Sequence, residues 1–234
     1  MRRIAFHSAL VFSSVLVVSS TFPAPKPKSP SVTYTLDSLD GLEILNLKAE
    51  LATYRGKRSV HLLQSTAEPP THPHKDPIAI LKDTDFKDGV IEAEIAGAPR
   101  QGARPDIRGF VGIAFRSQDH GARFECFYVR FTNGRADDQL RRNHSAQYIS
   151  FPDFPWERLR KENPGVYETY TDLEPGTWTK VKIVVSGIKA QLYVNGAAQP
   201  CLIVNDLKLG ESRGSLALWV GDDSEAYFSN LTIK

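Results

Sequence analysis

Cysteine is scarce in this chain of 234 residues. Two are present, too few to staple the fold, so a hydrophobic core must hold it together. An excess of one charge sign is missing as well. Lys and Arg number 29 against 27 Asp and Glu, and two of the basic residues, Arg2 and Arg3, lie in a segment expected to be removed. A near-neutral remainder argues against a general polyanion binder and excludes nucleic acid as the expected partner. No apolar run reaches the ~20 residues that a membrane helix needs, so no integral segment is expected after signal cleavage. There is no G-x-S-x-G, no P-loop and no dinucleotide fingerprint, which removes hydrolase-fold, ATPase and dehydrogenase readings. Long helical periodicity is absent too.

What is present begins with an export signal over residues 1–22. Arg2 and Arg3 form a basic start, Ile4 to Val18 is mostly apolar, and Ser19-Ser20-Thr21 follows. A proline- and lysine-rich linker occupies 23–30. The folded domain is expected over 31–234, in a secreted or periplasmic protein.

Within that domain the period is two. Val90 to Ile95, Val111 to Arg116, Phe127 to Phe131, Lys180 to Val185, Gln191 to Asn195, Ser215 to Val220 and Tyr227 to Ile233 alternate apolar with polar. Val32 to Leu36 and Val60 to Leu63 read as further strands. Turn signals such as Asn133-Gly134, Pro175-Gly176 and Asn195-Gly196 separate the runs. A dozen short strands predict an all-β fold, an antiparallel two-sheet β-sandwich. Only Trp156 to Glu162 reads as helix. Residues two apart share a face, so Ile91, Ala93 and Ile95 are expected in the core, with Val111, Ile113, Phe115, Phe127, Val129 and Phe131. Arg116, Tyr128, Arg130 and Trp219 then fall on the opposite faces, where aromatic rings mixed with charges suit a sugar.

Several of these runs resemble the concanavalin A-like lectin/glucanase superfamily. Asp85 to Ile95 resembles an early outer strand, and Gly109 to Arg116 a glycine-containing inner strand. Trp178-Thr179-Lys180-Val181-Lys182-Ile183 with Leu192-Tyr193-Val194-Asn195-Gly196 is similar to the hairpin of laminin-G-like members. Phe228-Ser229-Asn230-Leu231-Thr232-Ile233 is similar to their last strand. The resemblance implies a jelly roll that acts on carbohydrate. Its nearest enzyme-labelled group is the 3-keto-disaccharide hydrolase domain, two of whose features are replaced here by Ile107-Arg108-Gly109-Phe110 and Phe124-Glu125-Cys126-Phe127.

Glycoside hydrolysis calls for an acid and a base or nucleophile. Glu92 and Glu94, two apart on one strand, are the candidate pair, with half of the E-x-D-x-x-E strand of laminarinase-type glucanases. Glu125 is expected at a strand end, in water. The long connection over 132–161 carries a candidate pocket of Arg135, Arg142, His144, Gln147, Tyr148 and Trp156, with Asp137 beside them. Its arginines suit an acidic or oxidised oligo- or polysaccharide. His144 is the candidate proton carrier. An arginine–aspartate network that merely orders the loop is the competing reading. No cofactor is expected beyond a structural calcium, a suggestion of the superfamily, on Asp85, Asp88, Asp222 and Asp223. His72 and His74 lack the further ligands of a zinc site. Cys126 and Cys201 are left open between a disulfide and free thiols. Two functions remain: a glycoside-cleaving enzyme and a non-catalytic glycan-binding or adhesive module.

Overall fold

Ile91, Ala93 and Ile95 are buried, while Glu92 and Glu94 between them reach solvent. That alternation, repeated along the chain, builds two antiparallel sheets. The computed structural model describes residues 31–64 and 76–234. The export signal, the linker, His72 and His74 lie outside the described residues.

The strands in chain order are β1 (Val32–Tyr34), β2 (Leu42–Leu45), β3 (Leu47–Tyr54), β4 (Lys57–Gln64), β5 (Ile78–Leu81), β6 (Gly89–Pro99), β7 (Phe110–Gln118) and β8 (Arg123–Arg130). A short helix α1 (Gln139–Arg142), β9 (Ala146–Phe151), helix α2 (Trp156–Glu162) and β10 (Glu168–Thr169) follow. The chain closes with β11 (Thr179–Ser186), β12 (Lys189–Val194), β13 (Leu202–Val204), β14 (Ser215–Val220) and β15 (Ser224–Ile233). One sheet runs β13-β12-β11-β6-β15-β4-β3, with β1 also paired to β15. The other runs β10-β9-β8-β7-β14-β5-β2. The core lies between them. Val111, Ile113 and Phe115 of β7 face Ile91, Ile95 and Phe228 of the opposing sheet across it, all buried. Each such side chain contributes roughly 1.5–3 kcal/mol by leaving water.

The two sheets differ on their outer faces. The β6–β11 pair alternates cleanly, and its outward residues match charge across strands: Lys182 opposite Glu92 and Lys180 opposite Glu94. Strands β7, β8 and β9 are instead buried on both faces. The chain from 131 to 168 folds back over them and covers what alternation alone marks as a solvent face.

Three expectations change. Glu125 is not at a wet strand end. It is fully buried, accepts hydrogen bonds from Tyr148 Oη and from the backbone N–H of Leu209 (2.7 Å), and burial raises its carboxyl above the usual range. Arg116 is fully buried and lies at no surface that takes a ligand. It has φ 53° where the β7–β8 register shifts, and this irregularity breaks the alternation. Its guanidinium donates to the carbonyls of Lys87 (2.9 Å), Gly210 (2.7 Å) and Gly187 (2.7 Å) and to Asp88 (3.2 Å). Phe131 enters the core from a 3₁₀ turn (Phe131–Asn133), not from the end of β8. Cys126 and Cys201 are free thiols.

Candidate functional site

The outer face of the β8–β9 region becomes a cleft because two short helices stand over it. Asp138 caps α1, its Oδ1 accepting from the backbone N–H of Arg141 at 3.0 Å. Helix α2 spans the residues that the sequence marks as helical. Pro155 precedes it, Glu157 sits in its first turn, and Arg160 and Lys161 sit in its last, an order that complements the helix dipole. Trp156, at the head of α2, is left 38% exposed as a wall.

A cavity of about 420 Å³ lies against this wall, lined by five arginines (Arg104, Arg108, Arg130, Arg141 and Arg160) against three carboxylates, with His144 and Asn133. His144 Nδ1 lies 2.8 Å from Glu168 Oε2. Glu168 is buried on β10 and is gripped from its other side by Arg160, whose Nε and Nη2 donate at 2.9 and 2.7 Å. Burial pushes the His144 imidazole below its ordinary 6.5. Glu168 opposes that shift, while Arg160 and Arg130 add to it. The ring is thus held neutral near pH 7, and among the described residues Nε2 has no hydrogen-bond partner.

Arg130 is a strut. It donates to Tyr128 Oη (2.6 Å), to Gln147 Oε1 (3.3 Å) and to the His144 carbonyl (3.0 Å), and it stacks its cation 5.8 Å from the Trp156 ring centroid. Burial, partly opposed by Arg130, pushes the Tyr128 phenol up to about 12. Arg108 and Arg141 are different. Arg108 donates to the Pro105 and Ile107 carbonyls, and Arg141 only grazes Asn133 Oδ1 at 3.4 Å. Among the described residues neither forms an ion pair with a carboxylate. Burial, and then the charge of Arg141, lower the Arg108 guanidinium. The cleft therefore holds positive charge that a bound anion or a developing oxyanion would relieve.

Residues 61–234 match the 3-keto-alpha-glucoside-1,2-lyase-like domain. The chain belongs to that family. Solved structures share its fold. A Bacillus subtilis protein of unknown function with a galectin-like fold superposes with TM-score 0.56 at 11% identity, over 86% of this chain and 94% of its own. The carbohydrate-binding module CBM66 from the same organism gives TM-score 0.52 at 14% identity, over 83% of this chain and 96% of its own. No curated protein matches the sequence significantly. The concanavalin A-like resemblance and the sandwich read from the sequence both hold. The protein is a β-sandwich domain of this lyase-like family.

In this lyase-like domain the residues singled out by sequence fall into three groups. His144, Arg130 and Trp156 meet in the cleft, with Tyr128 and Trp219 beside it. Gln147 and Tyr148 are buried beneath it. Gln147 bridges Arg130 to the carbonyls of Tyr148 and Tyr167, and Tyr148 holds Glu125 and the backbone N–H of Lys208. Arg135, Asp137 and Arg142 lie outside. Arg135 grips Asp172 and Glu174 on the surface, as the loop-ordering reading expects. Arg142 covers Tyr170, and Asp137 is exposed.

Glu92 and Glu94 do share a groove, but on the outer face of the opposite sheet with Lys180, Lys182 and Tyr193. Burial works to raise the Glu94 carboxyl, yet Lys57 (2.6 Å) and Asn230 hold it below the usual range, and Glu92 pairs with Lys234. Neither faces His144. Of the four aspartates expected to hold calcium, Asp85 pairs with Arg213, Asp88 with Arg116 and Asp223 with Arg100, while Asp222 lines the cleft. No cluster of three or more metal-ligating side chains occurs among the described residues. Glu168 and Arg160 carry no signal in the sequence: Glu168 lies 24 positions from His144, beyond any local spacing rule. Arg141 is read there only as one arginine of the long 132–161 connection, and Arg108 only as the replacement in a family turn.

Proposed function

We propose that this is an exported domain that binds an oxidised, 3-keto glycoside in the Arg108–Arg141–His144 cleft and cleaves it by elimination. The observation that carries this reading is the neutral His144, beside Glu168 and facing a cleft in which Arg108 and Arg141, among the described residues, lack carboxylate partners. A ketone at C3 of the sugar acidifies the hydrogen on C2. His144 Nε2 takes that proton. The C2–H electron pair becomes the C1–C2 double bond, and the C1–O bond breaks. The departing oxygen recovers the proton from the imidazolium. Arg108 and Arg141 balance the negative charge that gathers on the C3 oxygen. Addition of water across the new double bond would complete a net hydrolysis. Export rests on the basic and apolar N-terminal segment.

A second reading, glycan binding without cleavage, is favoured by one fact: Glu92 and Glu94, the carboxylates that the sequence offers as a glycosidase pair, lie in a groove on the other sheet and not in this cleft. One experiment separates the two. A methyl 3-keto-α-glucoside is incubated with the protein and with His144→Ala, while binding is followed by calorimetry. Methanol released by the wild type and at least ~100-fold less by the variant, in keeping with loss of a general base, supports elimination. Binding without release, retained in His144→Ala and lost in Trp156→Ala, supports the binding module. Neither binding nor release rejects both.

A further inference from the structure

The groove that holds Glu92 and Glu94 lies across the outer face of β6, β11, β12 and β15, on the sheet that does not carry His144. It encloses about 420 Å³ and is walled by Glu92, Glu94, Lys180, Lys182, Tyr193 and Asn230. That size falls in the ~300–1,000 Å³ range of small-molecule sites. The Asn195-Gly196 turn after β12 forms part of its rim, with Asn195 Oδ1 accepting from the backbone N–H of Lys180 at 3.2 Å.

The strand register sets Lys182 opposite Glu92 and Lys180 opposite Glu94, yet neither pair closes, because both acids are drawn off by other residues. The β15–β6 register shifts between Ser229 and Thr232, and Asn230 takes φ 52°, a left-handed conformation that asparagine tolerates. Its Nδ2 thereby donates to Glu94 Oε2 at 2.8 Å. Lys57, lying 5.3 Å from the Trp178 ring centroid, takes Glu94 Oε1 at 2.6 Å. Lys234 exchanges both backbone hydrogen bonds with Val90, each 2.9 Å, and this sets its Nζ on Glu92. Among the described residues Lys180 and Lys182 form no ion pair. Lys182 rests its Nζ 3.8 Å from the Tyr193 ring centroid, which orders the ammonium without using up its N–H donors. Four lysines therefore stand around two carboxylates that are already engaged. The groove carries surplus positive charge beside a tyrosine ring.

We propose that this groove is a second binding site, separate from the His144 cleft, and that it takes an acidic glycan. Residues two apart on a strand lie ~6.5–7 Å apart, so the flexible stems of Lys180 and Lys182 can close on one sugar carboxylate from both sides. Tyr193 offers apolar surface to the C–H groups of the sugar ring, and Asn230 keeps its Oδ1 for a hydroxyl. A small inorganic anion would satisfy the lysines and leave those two groups unused. With Glu92 and Glu94 both engaged, the groove holds its ligand and does not cleave it. The site stands whether or not the His144 cleft cleaves a glycoside.

The test is calorimetry with three probes: trigalacturonate, maltotriose (rings without acids) and tripolyphosphate (charge without rings). The full chain is compared with Lys180→Gln, Lys182→Gln and His144→Ala, each checked for folding by its thermal midpoint. Wild type should bind trigalacturonate at least about tenfold more tightly than either other probe. Each lysine variant should lose about tenfold, the scale of one charge-assisted hydrogen bond. His144→Ala should bind it as wild type does. Tripolyphosphate bound as tightly as trigalacturonate reduces the groove to a general anion patch and overturns the glycan. Affinity that survives both lysine changes, or that falls in His144→Ala, places the ligand elsewhere and overturns the site. No binding of trigalacturonate by wild type overturns it outright.

Discussion

His144 and Glu168 are 24 residues apart in the chain and 2.8 Å apart in the fold, the imidazole Nδ1 facing a carboxylate that Arg160 already neutralises. Burial, with Arg160 and Arg130 adding to it, outweighs Glu168, which orients the ring without drawing it into a stable cation.

The pH dependence follows from that arrangement. His144 in the folded protein lies below its ordinary 6.5. As pH falls, the unfolded chain takes up this proton first, so the stability linked to it is whole above about 6.5 and drains away below it. The acid limb of kcat/KM should likewise lie below that value. Arg160→Gln removes a repelling charge and releases Glu168 to attract the proton, so both the limb and the His144 NMR titration should move upward. An unmoved titration would show that Arg160 does not set the imidazole.

Arg116 predicts a stability effect with no functional counterpart. It is fully buried and donates to three carbonyls and one carboxylate. Arg116→Lys keeps the charge but cannot fork to four acceptors. It should cost about 3 kcal/mol or more, since breaking a buried, paired charge is expensive. Urea denaturation measures this, and a loss below about 1 kcal/mol, the worth of one ordinary hydrogen bond, would count against the role given to Arg116.

Gly112→Ala tests the floor of the cleft. The added methyl meets Phe127 O and Tyr128 Cβ, each at 2.6 Å, and neither belongs to a flexible side-chain end. Overpacking of this kind costs ~1–3 kcal/mol. A midpoint unchanged on thermal melting would mean that β7 and β8 can separate at this step.

The thiols should be silent. Burial pushes Cys201 up to about 11 and Cys126 well above its ordinary value, with Asp76 and Glu125 adding to the Cys126 shift. The native protein should not react with an aromatic disulfide reagent at pH 8, and both cysteines should react in denaturant. Rapid labelling of the native chain would show that one strand end opens.

Alternation made the β6–β11 face legible. Glu92 and Glu94 were placed correctly on one outward face, and α2 was read to its ends. The same rule set Tyr128, Arg130 and Trp219 together on the opposite face, but nothing periodic announces that residues 131–168 will fold over it. Covered strands lose their polar side, and Gln147 and Cys126 record that loss only once the cover is known, while Glu125 sits on the core side of β8, opposite Phe115 and Ser150. The His144–Glu168 contact needed the β9–β10 pairing, which a two-residue strand hardly signals. The alternation across Arg116 failed at a register shift that no turn residue marks.

The pairing of β8 with β9 has a consequence for how such a domain diversifies. Val129 lies opposite Ala146 and Tyr128 opposite Gln147, so the chain between them leaves the sheet and returns to the adjacent place. The sandwich takes Phe131 for its core and the Ser145 carbonyl as acceptor for the Arg130 N–H from the two ends of that excursion. Residues 132–144 could be replaced without breaking one bond of the β8–β9 ladder, and Asn133, Arg141 and His144 would travel together as a cassette. Glu168 would stay behind on β10. A working graft of this chemistry into another sandwich therefore requires two transplanted segments, and a single one delivers a histidine with nothing to aim it.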